Sequence, residues 1–348
     1  MKDKKEKKKK RGLHWFSKLL ILGDLCAAML FVAFYGPWAE LRDWFVTTAM
    51  ATMNHRYLAY VMYPDTTVKE VMGKNATIES DEQTDASAIK FVEEDTSGVY
   101  SSIYEEQILK RDEGNDEYKV IEIREEDYSG FITVIYHPER LKLAISKSSF
   151  GSTITEFSKD YNASVAINAG GFHWDAYGRC YTKHNIILNG AVYKSNGKKG
   201  KIICMNKDNV LCLMKATAKE AVKAGMEWGV EFGPFLIVNG VVTKFTGNGG
   251  YGIHPRTAIG QRKDGIVILI TIDGRGANGS DGITIPDLTE IFVRYGCYNA
   301  ANLDGGGSTM LAIEGKLRNN PKGWGYSGER YIYNAIVLKR PSKTTADQ

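Results

Sequence analysis

Two short stretches in the C-terminal half place a carboxylate where chemistry needs one. The apolar run Ile266–Ile272 leads straight into Asp273-Gly274-Arg275, and Cys297–Leu303 leads into Asp304-Gly305-Gly306-Gly307-Ser308-Thr309. Glycines without a Cβ let backbone N–H groups approach a ligand closely. Successive N–H groups in a turn form a concavity for an anion. Either stretch alone also reads as an ordinary turn, because Asp and Gly dominate turns for local reasons. Their combination is less ordinary: both carboxylates stand at the end of an apolar strand, and the helix-like segment Pro286–Tyr295 lies between them.

Three further polar clusters close apolar runs. They are Ile167-Asn168-Ala169-Gly170-Gly171-Phe172, Glu231-Phe232-Gly233-Pro234-Phe235, and His254-Pro255-Arg256-Thr257-Ala258-Ile259-Gly260. Loops at strand ends are where a rigid scaffold commonly holds catalytic groups. Other chemistries fit less well. The sequence has no G-x-x-x-x-G-K-[ST] phosphate loop and no G-x-S-x-G nucleophile elbow. Its six histidines match no H-E-x-x-H pattern, and Cys180, Cys204, Cys212 and Cys297 match no zinc spacing. No metal or cofactor is called for.

Taken in order, the five clusters resemble the phosphodiester glycosidase family. The resemblance covers about Ser164 to Leu338, and a late Gly328-Glu329-Arg330 before the strand Tyr333–Leu338 also matches. Bacterial members of that family are associated with exopolysaccharide biosynthesis. The resemblance implies hydrolysis of a glycosidic C1–O bond whose leaving group is a phosphate monoester, on a phosphodiester-linked glycan. Such a leaving group asks for little protonation, so the acid of an ordinary two-carboxylate glycosidase shrinks in importance and anion binding grows. Asp304 or Asp273 would activate water or stabilise the developing cation, with Glu231 as the third candidate. Arg256, Arg275 and Arg330 would clamp phosphate, since guanidinium forks match its oxygens. The N–H groups of Gly305, Gly306 and Gly307, with the Ser308 and Thr309 hydroxyls, would complete the anion site. Asn168 and Gly170 would meet the sugar. Two other classes stay open: a metal-dependent phosphodiesterase drawing on Asp273, Asp281 and Asp304, and a non-catalytic glycan-binding component of envelope-polymer assembly.

The elements that must position these groups form an α+β domain over 118–340, with mixed sheets and a few packed helices. Short strands are expected throughout it, including a hairpin of Phe131–Tyr136 with Leu141–Ser146 around His137–Arg140. Ala216–Ala224 and Pro286–Tyr295 read as helices, the latter with proline in its first turn and Gly296 just past its end. Cys204 and Cys212 flank a turn at Lys207–Asn209 and either form a disulfide or stand as buried thiols.

The first 117 residues are of a different kind. Residues 1–18 carry nine lysines and arginines against Asp3 and Glu6, while the whole chain is only +4, which leaves the remainder near −3. No basic face for nucleic acid follows. Leu19–Tyr35 is apolar except for Asp24, with Trp15 and Trp38 at its ends. A cleaved signal peptide would show a shorter apolar region and a small-residue cleavage site. A single membrane-spanning anchor over 19–38 accounts for lysines, length and tryptophans together, with the amino end cytoplasmic. Asp24 is its one misfit and calls for protonation or a partner helix. Trp38–Tyr63 reads as one helical stretch ending before Pro64, within a stalk over 39–117. Thr66–Asp116 is acidic and reads as solvated linker, with acidic clusters at Glu79–Asp85 and Glu93–Asp95 and a glycosylation triplet at Asn75-Ala76-Thr77. Residues 341–348 form a tail.

Overall fold

The computed structural model of the chain describes residues 3–52, 55–79, 81–92, 98–323 and 325–341, with side chains from residue 15 onward except that of Tyr326. The side chains of the lysine block up to Arg11, the acidic cluster Glu93–Asp95 and the tail beyond Pro341 lie outside the described residues. The chain divides into two compact units: Met1–Asn75 with Gly250–Gly252, and the remainder from Ala76.

The smaller unit is helical. Helix Asp3–Tyr35 contains Trp15–Tyr35, 21 residues of mean hydropathy 1.9 with none buried, long and apolar enough to cross a membrane. The segment expected as a single helix is two, Ala39–Met50 and Arg56–Met62. Thr52 marks the break, its hydroxyl accepting from the His55 N–H at 3.0 Å. Pro64 ends the second helix as expected, and it also caps a third, Asp65–Lys74. Val46, Ala49, Ala59, Tyr63, Val68 and Val71 form a core between these helices, with Phe34 and Phe45 packed against it. Asn75 is buried, its amide donating to Val71 O at 2.9 Å and to Asp43 Oδ2 at 3.3 Å. That geometry does not offer it for glycosylation.

The larger unit is built on three antiparallel sheets. The large sheet has seven strands in the spatial order Val241–Val242, Phe235–Val238, Cys297–Asn302, Arg256–Arg262, Val267–Ile272, Ser129–Ile135 and Tyr118–Arg124. A second sheet orders Leu211–Ala216, Gly200–Asn206, Met226–Glu231, Ile186–Leu188 and Ala191–Lys194. A third orders Lys316–Leu317, Leu311–Ile313, Ala163–Asn168, Asn334–Lys339 and Leu141–Ile145. All three turn one face to a shared core that joins Leu269 and Ile259 of the first, Ile203 and Val230 of the second, and Ile167 and Ile336 of the third. The opposite face of the third sheet meets Ile154 and Phe157 of helix Ile154–Asp160. That of the second meets Ala218 and Ala221 of helix Ala218–Lys223.

This layering explains why Val267–Ile272 is an unbroken apolar run: every residue in it is buried. Helix Ile285–Arg294 begins where Thr284 accepts from the Asp287 N–H, and it buries Ile285, Leu288, Ile291 and Phe292. Each such side chain contributes about 1.5–3 kcal/mol over exposure. Three expectations need correction. Ser129–Ile135 and Leu141–Ile145 are not a hairpin; the first pairs with Val267–Ile272 and the second with Asn334–Lys339. The short turn Pro138–Arg140 carries the chain from one sheet to another. Helix Ile154–Asp160 went unforeseen, although Thr153 and Glu156 form a complete capping box at its start. Nor is the acidic stretch after Ala76 a solvated linker. Thr84 exchanges bonds with Leu213, Lys90 and Val92 donate to Lys263 O and Asp264 O, and Glu79 accepts from Phe235 N–H at 2.6 Å. Cys204 and Cys212 do face each other across their hairpin, as buried free thiols.

Candidate active site

The ends of strands from different sheets converge on Asp304. Leu303 donates its N–H to Thr257 O at 2.8 Å, and Asp304 donates its N–H to Ala169 O at 2.8 Å. Asn168 fastens this junction. Its Nδ2 donates to Asp304 O at 2.5 Å, and its Oδ1 accepts from the Thr257 hydroxyl at 2.7 Å and the Met310 N–H at 3.1 Å. The Asn168 side chain, 1% exposed, is thus engaged by the protein on both of its polar atoms. Next to it, Gly170 donates its N–H to Asn334 Oδ1 at 2.6 Å. These two residues shape the floor rather than reach into the space above it.

Asp304 itself is the electrostatic centre. Burial pushes its carboxyl from the ordinary 3.8 up to about 6, against the opposing pull of the Ser308 hydroxyl, the Arg330 charge, the Gly305 N–H and His184. Ser308 in turn accepts from Arg330 Nη1 at 3.3 Å. The Arg330 guanidinium lies over Trp174 at 4.5 Å and Phe172 at 5.3 Å, and those two rings meet edge to face at 4.9 Å. A cation held on aromatic faces keeps its charge while losing little freedom. The arrangement therefore offers a carboxylate that is ionised at neutral pH, yet able to take a proton just below it, beside a fixed guanidinium.

Glu231 ends the strand Met226–Glu231 in a cleft of about 560 Å³ lined by His184, Lys199, Gly200, Lys201, Lys215, Glu231 and Phe232. A Cβ on Gly200 would overlap the Glu231 carboxyl, so glycine on the neighbouring strand is what lets this side chain lie where it does. Glu231 Oε2 accepts from the Asn185 N–H and Nδ2, both at 2.8 Å, and from Asn196 Nδ2 at 3.1 Å. Its Oε1 stands 3.9 Å from His184 Nδ1. Burial raises this carboxyl, but the nearby His184 imidazole and the bonds from Asn185 together outweigh it, and Glu231 lies below the ordinary range. His184 thus acts on both Glu231 and Asp304. It was not singled out from sequence, because only the pairing of Ile186 with Val230 brings residues 184–185 beside 231.

Asp273 occupies a different place. It is 1% exposed, and its two carboxylate oxygens accept from Asn319 Nδ2 at 2.9 Å, Asn278 Nδ2 at 2.8 Å and the Asn320 N–H at 3.1 Å. Burial holds its carboxyl above the ordinary range, and these bonds with the Lys322 charge limit the rise. Asn319 also bonds Leu311 N–H and Thr309 O, so Asp273 organises the loops around the glycine turn from below. Arg275, with φ +58°, donates to Lys322 O at 2.9 Å and lies beside Gly306. Arg256 is buried, with Nε donating to Ile283 O at 3.3 Å. The glycine turn uses one of its own donors: Gly306 N–H goes to Pro255 O at 2.8 Å. Gly306 at φ +62° needs glycine for the turn itself. The Gly306 N–H is therefore not presented to an anion, and Gly307, Ser308 and Thr309 are buried within the same turn. Among the described residues no group of three or more His, Cys, Asp or Glu is placed to hold a metal ion.

Comparison with known proteins shows the family and the fold. The phosphodiester glycosidase family matches residues 161–339, just over half of the chain and all of the elements that converge on Asp304. An uncharacterised SPbeta prophage-derived protein of Bacillus subtilis, YomE, is 32% identical over 214 residues, 58% of this chain and 32% of its own length. The N-acetylglucosamine-1-phosphodiester alpha-N-acetylglucosaminidase of Bos taurus is 24% identical over 188 residues, 49% of this chain and 35% of that protein. The chain thus spans about a third of the length of the curated relatives it matches. The catalytic domain of the zebrafish N-acetylglucosamine-1-phosphodiester alpha-N-acetylglucosaminidase shares the fold, with a TM-score of 0.54 at 21% identity, over 65% of this chain and 83% of that one. On the extent of the family match, the chain belongs to the phosphodiester glycosidase family.

Proposed function

We propose that this chain is a hydrolase of sugar-1-phosphodiester linkages, anchored by its N-terminal helix with the larger unit extracytoplasmic, acting on an envelope or extracellular glycan. The observation that carries the reading is Asp304, a carboxylate raised to about 6 by burial at a junction of strand ends, beside Arg330 and within the field of His184. In the reaction water adds to the sugar C1 and the C1–O bond breaks. The bonding pair leaves on the oxygen of the phosphate monoester. Asp304 works ionised, either on the water or against the positive charge developing at C1. Arg330 meets the departing phosphate, with Arg275 beside Gly306 as the second cation. Glu231 and His184 supply the other acid–base pair of the cleft. Asn168, Gly170, Asp273 and Arg256 position this machinery, and Gly305–Thr309 form the turn that presents Asp304.

Retention of the apolar helix is supported by its last turn. Phe34 packs on Phe45 at 5.2 Å, and Tyr63 donates its hydroxyl to Phe34 O at 2.7 Å, so the end of that helix is part of the core it shares with the next helices of the same unit. A leader removed by cleavage would leave that core open. The lysine block before the helix keeps the amino end inside.

The test is turnover of a panel of sugar-1-phosphodiesters by the purified full chain and by Asp304→Asn, in water labelled with heavy oxygen. Asp304→Asn is expected to lose about 10²–10⁴-fold, the usual range for a positioned acid–base group, and the label to appear in the sugar. Near-parental turnover would remove Asp304 from the mechanism. Label in the phosphate would favour P–O cleavage, the course of a metal-dependent phosphodiesterase. Glycan binding without product, unchanged when Asp304 is replaced, would favour a non-catalytic role.

A further inference from the structure

The two helices that follow the apolar segment carry apolar faces turned away from their own core. Trp38, Leu41 and Trp44 recur every three residues along one side of Ala39–Met50, where neighbours on a helix surface stand. Tyr57, Tyr60 and Val61, at i, i+3 and i+4, share one side of Arg56–Met62. All six are more than a third exposed, Val61 at 71%, whereas Val46 and Ala59 on the inner sides of the same helices are fully buried. The third helix differs. Asp65–Lys74 carries the surface ion pairs Lys69–Asp65 and Lys74–Glu70.

Chain geometry fixes where these faces stand relative to the apolar segment. Its 21 residues span about 31 Å as a helix, close to the roughly 30 Å of a bilayer's hydrocarbon core. Trp38 follows Tyr35 by three residues, at most about 11 Å of extended chain. Arg56–Met62 is tied back to the same point: Tyr35 donates its hydroxyl to Met62 O at 2.5 Å, and the Tyr35 and Tyr63 rings lie 5.7 Å apart. Both faces are thus tethered close to the end of the apolar segment, next to a headgroup layer about 5–8 Å deep. Trp and Tyr, apolar in body and polar at one edge, are the side chains that layer favours. An amphipathic helix lies in it with its apolar face sunk toward the acyl chains.

We propose that Ala39–Met50 and Arg56–Met62 lie in the outer headgroup layer, with Trp38, Leu41, Trp44, Tyr57, Tyr60 and Val61 in contact with lipid. The occupant of these faces is the bilayer surface that the chain's own anchor spans. The smaller unit is then a membrane-seated platform and not a free stalk. This rests on the anchor reading above.

The experiment reconstitutes the full chain in phosphatidylcholine vesicles whose acyl chains carry bromine near either the carbonyl or the methyl end. Tryptophan emission is compared between the parent and Trp38→Phe/Trp44→Phe, which keeps an aromatic ring at both positions and leaves the other four tryptophans in each sample. The emission lost with the two tryptophans is expected to be quenched more by bromine near the carbonyl end than near the methyl end, and little by iodide in the outer buffer. Quenching of that emission by iodide and not by bromolipid would place the faces in water and overturn the proposal. Quenching by neither, with a dimer captured by a cross-linker, would assign them to a second copy and overturn it equally. Release of the chain from vesicles by alkaline carbonate would instead sink the anchor reading, a failure distinct from those two.

Discussion

Two Asp-Gly turns of similar local sequence both bury a carboxyl but give it different partners, and the difference is measurable. Between the ordinary 3.8 and about 6, native Asp304 binds more protons than it does unfolded. Stability therefore falls as pH rises through that window, and the cost of the charged form reaches about 3 kcal/mol above it. Asp304→Asn should be inactive yet more stable than the parent above pH ~6. Denaturant midpoints should show that gap closing as the pH is lowered toward 4. The parent's kcat/KM should show an acidic limb near 6, since the working form is ionised. Asp273→Ala should behave in the opposite way. It leaves the buried amide of Asn319 without that acceptor, at about 1–3 kcal/mol. Its midpoint should drop, while activity per folded molecule falls far less than in Asp304→Asn. A stable, inactive Asp273→Ala would return that residue to the catalytic set.

At the scale of elements, the small hairpin His173–Trp174 with Cys180–Tyr181 carries more of the site than its size suggests. Trp174 is half exposed and supports Arg330, which in turn meets Ser308 and lowers the Asp304 carboxyl. Losing that support releases about 0.5–2 kcal/mol of cation–π attraction, so Trp174→Ala should cost up to about 30-fold in kcat/KM. Its acidic limb should move upward, because a slackened Arg330 depresses Asp304 less, and Trp174→Phe should restore most of both. An unmoved limb would reduce Trp174 to packing. Legibility at this scale followed the range of the forces. Helix Ile285–Arg294 and the buried strand Val267–Ile272 were readable because caps and apolar runs are local. The partners of Ser129–Ile135 and Leu141–Ile145 were not, because strand pairing across more than a hundred residues leaves no local mark. His184 stayed hidden because it too reaches the site through a strand pairing with no local mark, Ile186 with Val230, while Asp304 showed itself through the glycines that follow it.

On the scale of the whole molecule, the site lies where the three sheets of the larger unit open at their strand ends, so its parts are far apart in sequence and all depend on one shared core. Composition misjudged where that unit begins. Acidic residues after Ala76 suggest solvation, but the largely buried Glu79 is paired with Lys201 and accepts from the Phe235 N–H, and Ile89 enters the core of the second sheet. Net charge cannot reveal which distant lysine an acid will meet. The segment is therefore structural, and its removal has a calculable effect. A chain beginning at Tyr118 loses the burial of Ile89 and of Ile108, about 1.5–3 kcal/mol each. It also loses the backbone bonds to Leu213, Lys263 and Asp264, about 0.5–1.5 kcal/mol each. A chain beginning at Ala76 keeps all of these. Against total stabilities of about 5–15 kcal/mol, a loss of that size is enough to unfold a marginal domain. Of the two, the one from Ala76 should fold cooperatively in urea, and the one from Tyr118 should be aggregated or melt far earlier. Equal urea midpoints would mean that residues 76–117 lie on the unit without holding it together.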